Sequence, residues 1–191
     1  MKAKSDSPPL NPSLWRTCRM LAGATRVKLL RQLHEHPGRT VSELARATGI
    51  GLSDASQELR RIQSRGLLQA VRRGSFVYYR FWADPQVASA APLLRALRTA
   101  LTDYPEDRDV DVVRIAQGLS HPRRIAIAKA LRQAPRKWRK LPAAMDMAPT
   151  SAGPHMAGLA RSGLARRAGD WFLLDPMDHP LAKALVRLLA D

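Results

Sequence analysis

The chain has one cysteine, Cys18, so it can neither close an internal disulfide nor supply a multi-cysteine metal cluster. No uninterrupted apolar run approaches the roughly 20 residues that a membrane span requires. The opening MKAKSDSPPLNP is polar and proline-rich with no apolar core, which argues against a secretory signal or an anchor and reads as a mobile arm over residues 1–11. A phosphate-cradling glycine loop, a zinc-protease helix and a recognisable Ser, His and Asp frame are all missing, so neither an enzyme nor a cofactor is expected. Carboxylates are scarce too: 16 Asp and Glu face 32 Lys and Arg. These absences describe a soluble protein of a reducing cytoplasm.

What is present is positive charge. The net +16 on 191 residues, with a sequence pI near 11.3, favours a polyanionic partner, and nucleic acid is the first candidate. The excess is uneven, +11 over residues 1–102 and +5 over 103–191. It is spread through helix-forming segments and not gathered beside an apolar stretch, so no membrane surface is expected as partner.

The chain also repeats itself. LAGATRVKLLRQL (Leu21 to Leu33) returns 98 positions on as LSHPRRIAIAKAL (Leu119 to Leu131), with hydrophobic residues in matching places. Leu59, Ile62, Gly66 and Leu67 answer to Met156, Leu159, Gly163 and Leu164, now 97 positions on. The copies close alike, on DPQVASAAPLLRALRTAL and DPMDHPLAKALVRLLA. Two copies of one module are expected, 12–101 and 111–191, joined by an acidic linker over 102–110. Each copy is large enough for only a small core and should pack on the other or on a partner chain.

Within the first copy, Leu14, Trp15, Cys18, Leu21 and Ala22 recur at helical spacing from about Pro12, and Val27, Leu30 and Leu33 mark a second helix that HEHPG stops. Val41, Leu44 and Ala45 then face inward on a short helix, Gly49 and Gly51 turn the chain, and Ser53 is the expected N-cap of a helix running through Arg65. That is a helix-turn-helix. The segment LLQAVRRGSFVYYRF next changes to a period of two around Arg73, Gly74 and Ser75, predicting a two-stranded hairpin, a wing.

In LAGATRVKLLRQL, TVSELARATGIGLSDASQELRRIQSRGLL and FVYYRF the chain resembles the ArsR-type family of bacterial winged-helix regulators. The match covers roughly residues 14–101 well and 111–190 as a looser, degenerate copy. The resemblance implies a DNA-binding, repressor-like regulator whose opening and closing helices form a two-fold interface. The fold class expected is therefore mainly α with small β-hairpins, two tandem winged helix-turn-helix domains packed as a pseudo-two-fold dimer. A monomer with this intramolecular arrangement is favoured over a homodimer.

The second helix of such a pair reads base edges in the major groove of double-stranded DNA. Ser53, Ser56, Gln57, Arg60 and Arg61 are its outward polar residues; Gln57 suits an adenine edge and Arg60 a guanine or a phosphate. Asp54 and Glu58 would repel phosphates, unless one of them binds Arg61 locally or reads a cytosine. Arg72, Arg73 and Ser75 sit at the wing tip. The second copy puts Gly153, Pro154 and Gly158 where the first has Ser56, Gln57 and Arg61, so its reading helix should start late, near Pro154. It offers instead Arg136, Lys137, Arg139 and Lys140 around Trp138, a set suited to phosphate contacts, with His155 as a further contact. Cys18 is expected to be a small buried hydrophobe, and Asp178 with His179 lacks the partners a metal site needs. Two other readings stay open: a scaffold whose winged helices dock proteins, and a sequence-tolerant nucleoid factor.

Overall fold

The computed structural model describes residues 13–190, so the arm at 1–11 lies outside the described residues. The fold is mainly helical with two small antiparallel sheets. It opens with α1 (Leu14–Leu21), α2 (Ala24–Glu35), α3 (Val41–Thr48) and α4 (Leu52–Gln63). A hairpin of β1 (Leu68–Arg73) and β2 (Phe76–Phe81) follows, then α5 (Ala90–Asp103). The order then recurs as α6 (Asp109–Gly118), α7 (Pro122–Gln133), β3 (Arg136–Lys137), α8 (Leu141–Ala144), α9 (Pro149–Arg161), β4 (Ala165–Ala168), β5 (Trp171–Leu174) and α10 (Pro180–Arg187).

The apolar spacing accounts for the first half. Val27, Leu29, Leu30 and Leu33 of α2, Leu44 of α3 and Leu59 and Ile62 of α4 are buried together, with Cys18 fully enclosed among them. Thr40 opens α3 with a capping box: its hydroxyl accepts from the Glu43 amide at 3.2 Å while the Glu43 carboxylate accepts from the Thr40 amide at 2.7 Å. Gly49 ends α3 in the left-handed region at φ 70, and the second half places Asp146 there at φ 50. Both hairpins close through two residues with glycine first, Gly74 at φ 59 and Gly169 at φ 57, as a tight hairpin turn with that backbone demands.

Two boundaries differ from the sequence expectation. Ser53 does not cap α4: Gly51 does, with extended backbone and its carbonyl accepting from Ala55 at 2.9 Å, so Ser53 falls inside the first turn. Helix α9 does not wait for Pro154. It begins at Pro149 and carries Pro154 within it, because Ala152 is buried in the core and packing of that first turn outweighs the poor propensity of the segment.

The halves meet through like elements. Helix α1 packs on α6, and α5 packs on α10. The segment expected as a solvated linker is ordered: Thr102 and Asp103 finish α5, Glu106–Arg108 forms a 3-10 turn and Asp109 starts α6. Asp109 is buried and takes a two-pronged ion pair from Arg31, at 2.8 Å from Nε and 2.7 Å from Nη2. Arg31 also donates to the carbonyls of Leu101 at 3.1 Å and Tyr104 at 3.0 Å. On the opposite side, between α1 and α7, lies a cavity of about 340 Å³ lined by Leu14, Trp15, Ile125 and Lys129 among others. The two sides of the seam are therefore unlike.

Candidate nucleic-acid interface

Helix α4 buries Ala55, Leu59 and Ile62, and that face fixes the other. Ser53, Gln57, Arg60 and Arg61 are exposed and Ser56 half-buried, so the expected reading residues share the open side of one helix. Gln57 leans back on the helix, its amide donating to Ser53 Oγ at 3.5 Å. Arg60 borders a groove toward the hairpin and lies beside Tyr79, whose phenol burial pushes up while that guanidinium opposes the shift. Glu58 is no free carboxylate. It accepts from Arg26 Nη1 at 2.7 Å and pairs with Arg61, which removes most of the conflict its charge would create beside phosphates.

The wing presents Arg72, Arg73 and Ser75 in the open. Arg73 stacks over Tyr78 at 5.8 Å, and its cross-strand partner Phe76 is 57% exposed. Sequence reasoning passed over Phe76 as one more strand residue; its place directly after the two-residue turn was the signal. It also passed over a groove of about 500 Å³ beside α1 and α4 that gathers Arg16, Arg19, Arg26, Arg61 and Arg65 with Trp15. Those arginines are scattered through 50 residues, and only the packing of α1 near α4 collects them.

In the second half, Arg136 and Lys137 form β3 against β5, and the Trp138 amide donates to the Asp170 carbonyl at 2.9 Å. The cluster thus lies along the second hairpin. Arg139 and Arg167 stack on Trp138 at 5.3 and 4.5 Å, and Lys137 on Trp171 at 5.9 Å. Stacking holds these cations in place, and Arg167 also donates from Nε to the Gly169 carbonyl at 2.8 Å. Lys140 is exposed. His155 is half-buried against His121, ring centroids 4.5 Å apart. Among the described residues no group of side chains is arranged to hold a metal ion, and no helix is long and apolar enough to cross a membrane. Burial pushes the Cys18 thiol far above its usual range, which leaves it unreactive as well as enclosed.

Residues 24–75 match the model of the MarR family. The MarR match spans α2, α3, α4, β1 and the hairpin turn, so it supports a winged helix-turn-helix of the regulator type, and with it a DNA-binding transcriptional regulator. It names MarR where the sequence resemblance named ArsR. It does not extend to the second half. No curated protein and no solved structure matches the chain.

Two histidines hold helix ends by one device. His121 Nδ1 accepts from the Arg123 amide and His179 Nδ1 from the Leu181 amide, each at 3.1 Å, with proline next in each helix. Burial holds both imidazoles below their ordinary 6.5, with Arg124, Arg123 and Arg19 adding to it at His121. Protonation of Nδ1 would remove the acceptor. Stability should therefore be full above 6.5 and fall as pH drops through the lower folded values, because the unfolded chain takes up the protons first. Thermal unfolding at about pH 7.5, 6.5 and 5.5 checks this. His121→Asn with His179→Asn, which can cap without titrating, should flatten the profile; an equally steep profile in that variant would refute the assignment.

Proposed function

We propose that the chain is a DNA-binding transcriptional regulator, acting as a repressor, in which two tandem winged helix-turn-helix domains pack as a pseudo-two-fold dimer within one chain. Domain 1 (12–101) reads bases in the major groove through Ser53, Ser56, Gln57, Arg60 and Arg61, with Arg72, Arg73 and Ser75 on the flanking backbone. Domain 2 (111–191) contributes phosphate contacts through Arg136, Lys137, Arg139 and Lys140 and completes the dimer-like interface. The observation that carries the reading is the contrast between the two reading helices. The face of α4 holds Ser56, Gln57, Arg60 and Arg61, whereas the matching positions of α9 hold Gly153, Pro154, Ala157 and Gly158. In this reading the chain works as a monomer in the cytoplasm, on the nucleoid.

Mobility shifts on self-promoter and random duplexes test it. Gln57→Ala should cost about 1–3 kcal/mol on the preferred site and little on random DNA. Arg139→Ala with Lys140→Ala should weaken binding about equally on every sequence. If the Arg139 and Lys140 pair changes sequence preference while Gln57→Ala leaves it untouched, the roles are reversed. One observation favours the docking alternative for domain 2: a hollow of about 490 Å³ lined by Trp138, Pro142, Met156, Ala157, Ala160 and Phe172, largely apolar. Absence of measurable duplex binding would move the balance to docking, whereas equal affinity for all duplexes with no loss on Gln57→Ala would point to the sequence-tolerant nucleoid factor.

A further inference from the structure

The second half rebuilds one ion pair of the first without its carboxylate. Counting 98 positions on from Arg26 leads to Arg124, and 97 on from Glu58 leads to His155. Arg26 donates to Glu58 at 2.7 Å. Arg124 reaches only the Ser120 hydroxyl, at 2.8 Å from Nη2, and its Nε is buried with no hydrogen-bond partner among the described residues. Gly158, which stands where the first half has Arg61, makes room for it: a Cβ there would come within 2.8 Å of Arg124 Nη1.

The neighbours add positive charge. His155 packs tilted against His121, whose Nδ1 is occupied by the Arg123 amide, so the His121 ring proton sits on Nε2 and is available to donate. Arg19 of α1, Arg123 of α7 and Arg161 of α9 act on this group, and among the described residues no carboxylate does. Burial and these cations lower both imidazoles and Arg124 alike. A half-buried cationic group is costly without a counter-charge, and here the counter-charge present in the first half has been replaced.

We propose that Arg124, Arg123, His121 and His155 form a site for a tetrahedral oxyanion of the phosphate class. Arg124 supplies the fixed charge, Arg123 an exposed second one, and the imidazoles donate N–H bonds at its side. The anion is either a backbone phosphate of bound DNA, in which case the site rests on the function proposed above, or a free phosphate group. An anion lifts His155 toward protonation while His121, its Nδ1 kept as the helix cap, donates from Nε2 as the neutral ring, so binding tightens as pH falls.

The test uses the full chain with its five histidines carbon-13 labelled and sulfate as probe, since its charge is constant across the pH range; chloride holds the ionic strength fixed. Two histidine ring signals, assigned to His121 and His155 by substitution, should move together and saturably, and more tightly at about pH 6 than at about pH 8. His155→Glu restores the missing carboxylate and should weaken sulfate by about tenfold or more without lowering thermal stability. His155→Gln, uncharged, separates lost binding from lost folding. Duplex DNA that moves the same signals and excludes sulfate identifies the backbone as source; duplex that binds yet leaves the sulfate response intact identifies a free phosphate group. Either supports the site. Unmoved His121 and His155 signals in folded protein, or an unchanged response in His155→Glu, overturn it. A chain that binds sulfate but no duplex refutes the DNA reading alone.

Discussion

Arg31→Ala should destabilise the chain by about 3–5 kcal/mol, the cost of leaving a buried charge without its partner. Arg31 is 4% exposed and spends its guanidinium on the Asp109 carboxylate, the Leu101 and Tyr104 carbonyls and Glu35 at 3.0 Å. The Asp109 hydrogen bond holds its charged form firmly in place. Truncation strands Asp109 and two carbonyls at the junction of α2, α5 and α6, where water has little access. Arg31→Met with Asp109→Leu removes both charges and should recover most of the loss. Lys129, the matching residue of α7, is exposed, and Lys129→Ala should change stability by less than about 0.5 kcal/mol. Urea unfolding decides the matter. A loss under about 1 kcal/mol for Arg31→Ala would show that the pair contributes little to holding the halves together.

Raising salt from about 50 to about 200 mM should cost about 10³ to 10⁵ in DNA affinity. This follows from neutralising roughly six to ten phosphates at a slope of about −5 to −9 in log affinity against log salt. The supply of cations is ample: five arginines in the groove beside α1 and α4, two on the wing, and four basic residues around Trp138. Most sit on helices or strands, Arg65, Arg139 and Lys140 lie in turns, and Arg26 and Arg61 already share Glu58. Arg72→Ala with Arg73→Ala should shrink the slope by about two units and leave sequence preference in place. Filter binding across a salt series measures both, and affinity indifferent to salt would remove nucleic acid as the main partner.

Much of the fold was legible because it is periodic. The buried stripe of α2, the turn at Gly49 and the alternation from Leu68 to Phe81 each write their geometry into neighbouring residues. Helix boundaries were less so. The cap fell on Gly51 and not Ser53 because helical hydrogen bonding already begins at the Gly51 carbonyl, which accepts from Ala55, with no side chain capping the first turn, and α9 started early because Ala152 is buried. Individual side-chain pairings between distant parts of the chain were not legible. Nothing near Arg31 announces Asp109, 78 positions away, and nothing near Arg26 announces Glu58. For His155, the sequence offered a lone imidazole facing a partner, and the structure supplied His121 as its neighbour. The repeat nonetheless held the key to that position, since lining up Glu58 with His155 exposes a change of charge that either copy alone conceals.

The packing of α1 on α6 and of α5 on α10 has a consequence for mass action. Two-chain assemblies fall apart on dilution, and their apparent stability rises and falls with protomer concentration. Here the two faces belong to one polypeptide, and each meets the other at an effective concentration set by the connecting chain, independent of how many copies a cell holds. In the proposed intramolecular arrangement, a few molecules per cell would be as fully assembled as thousands.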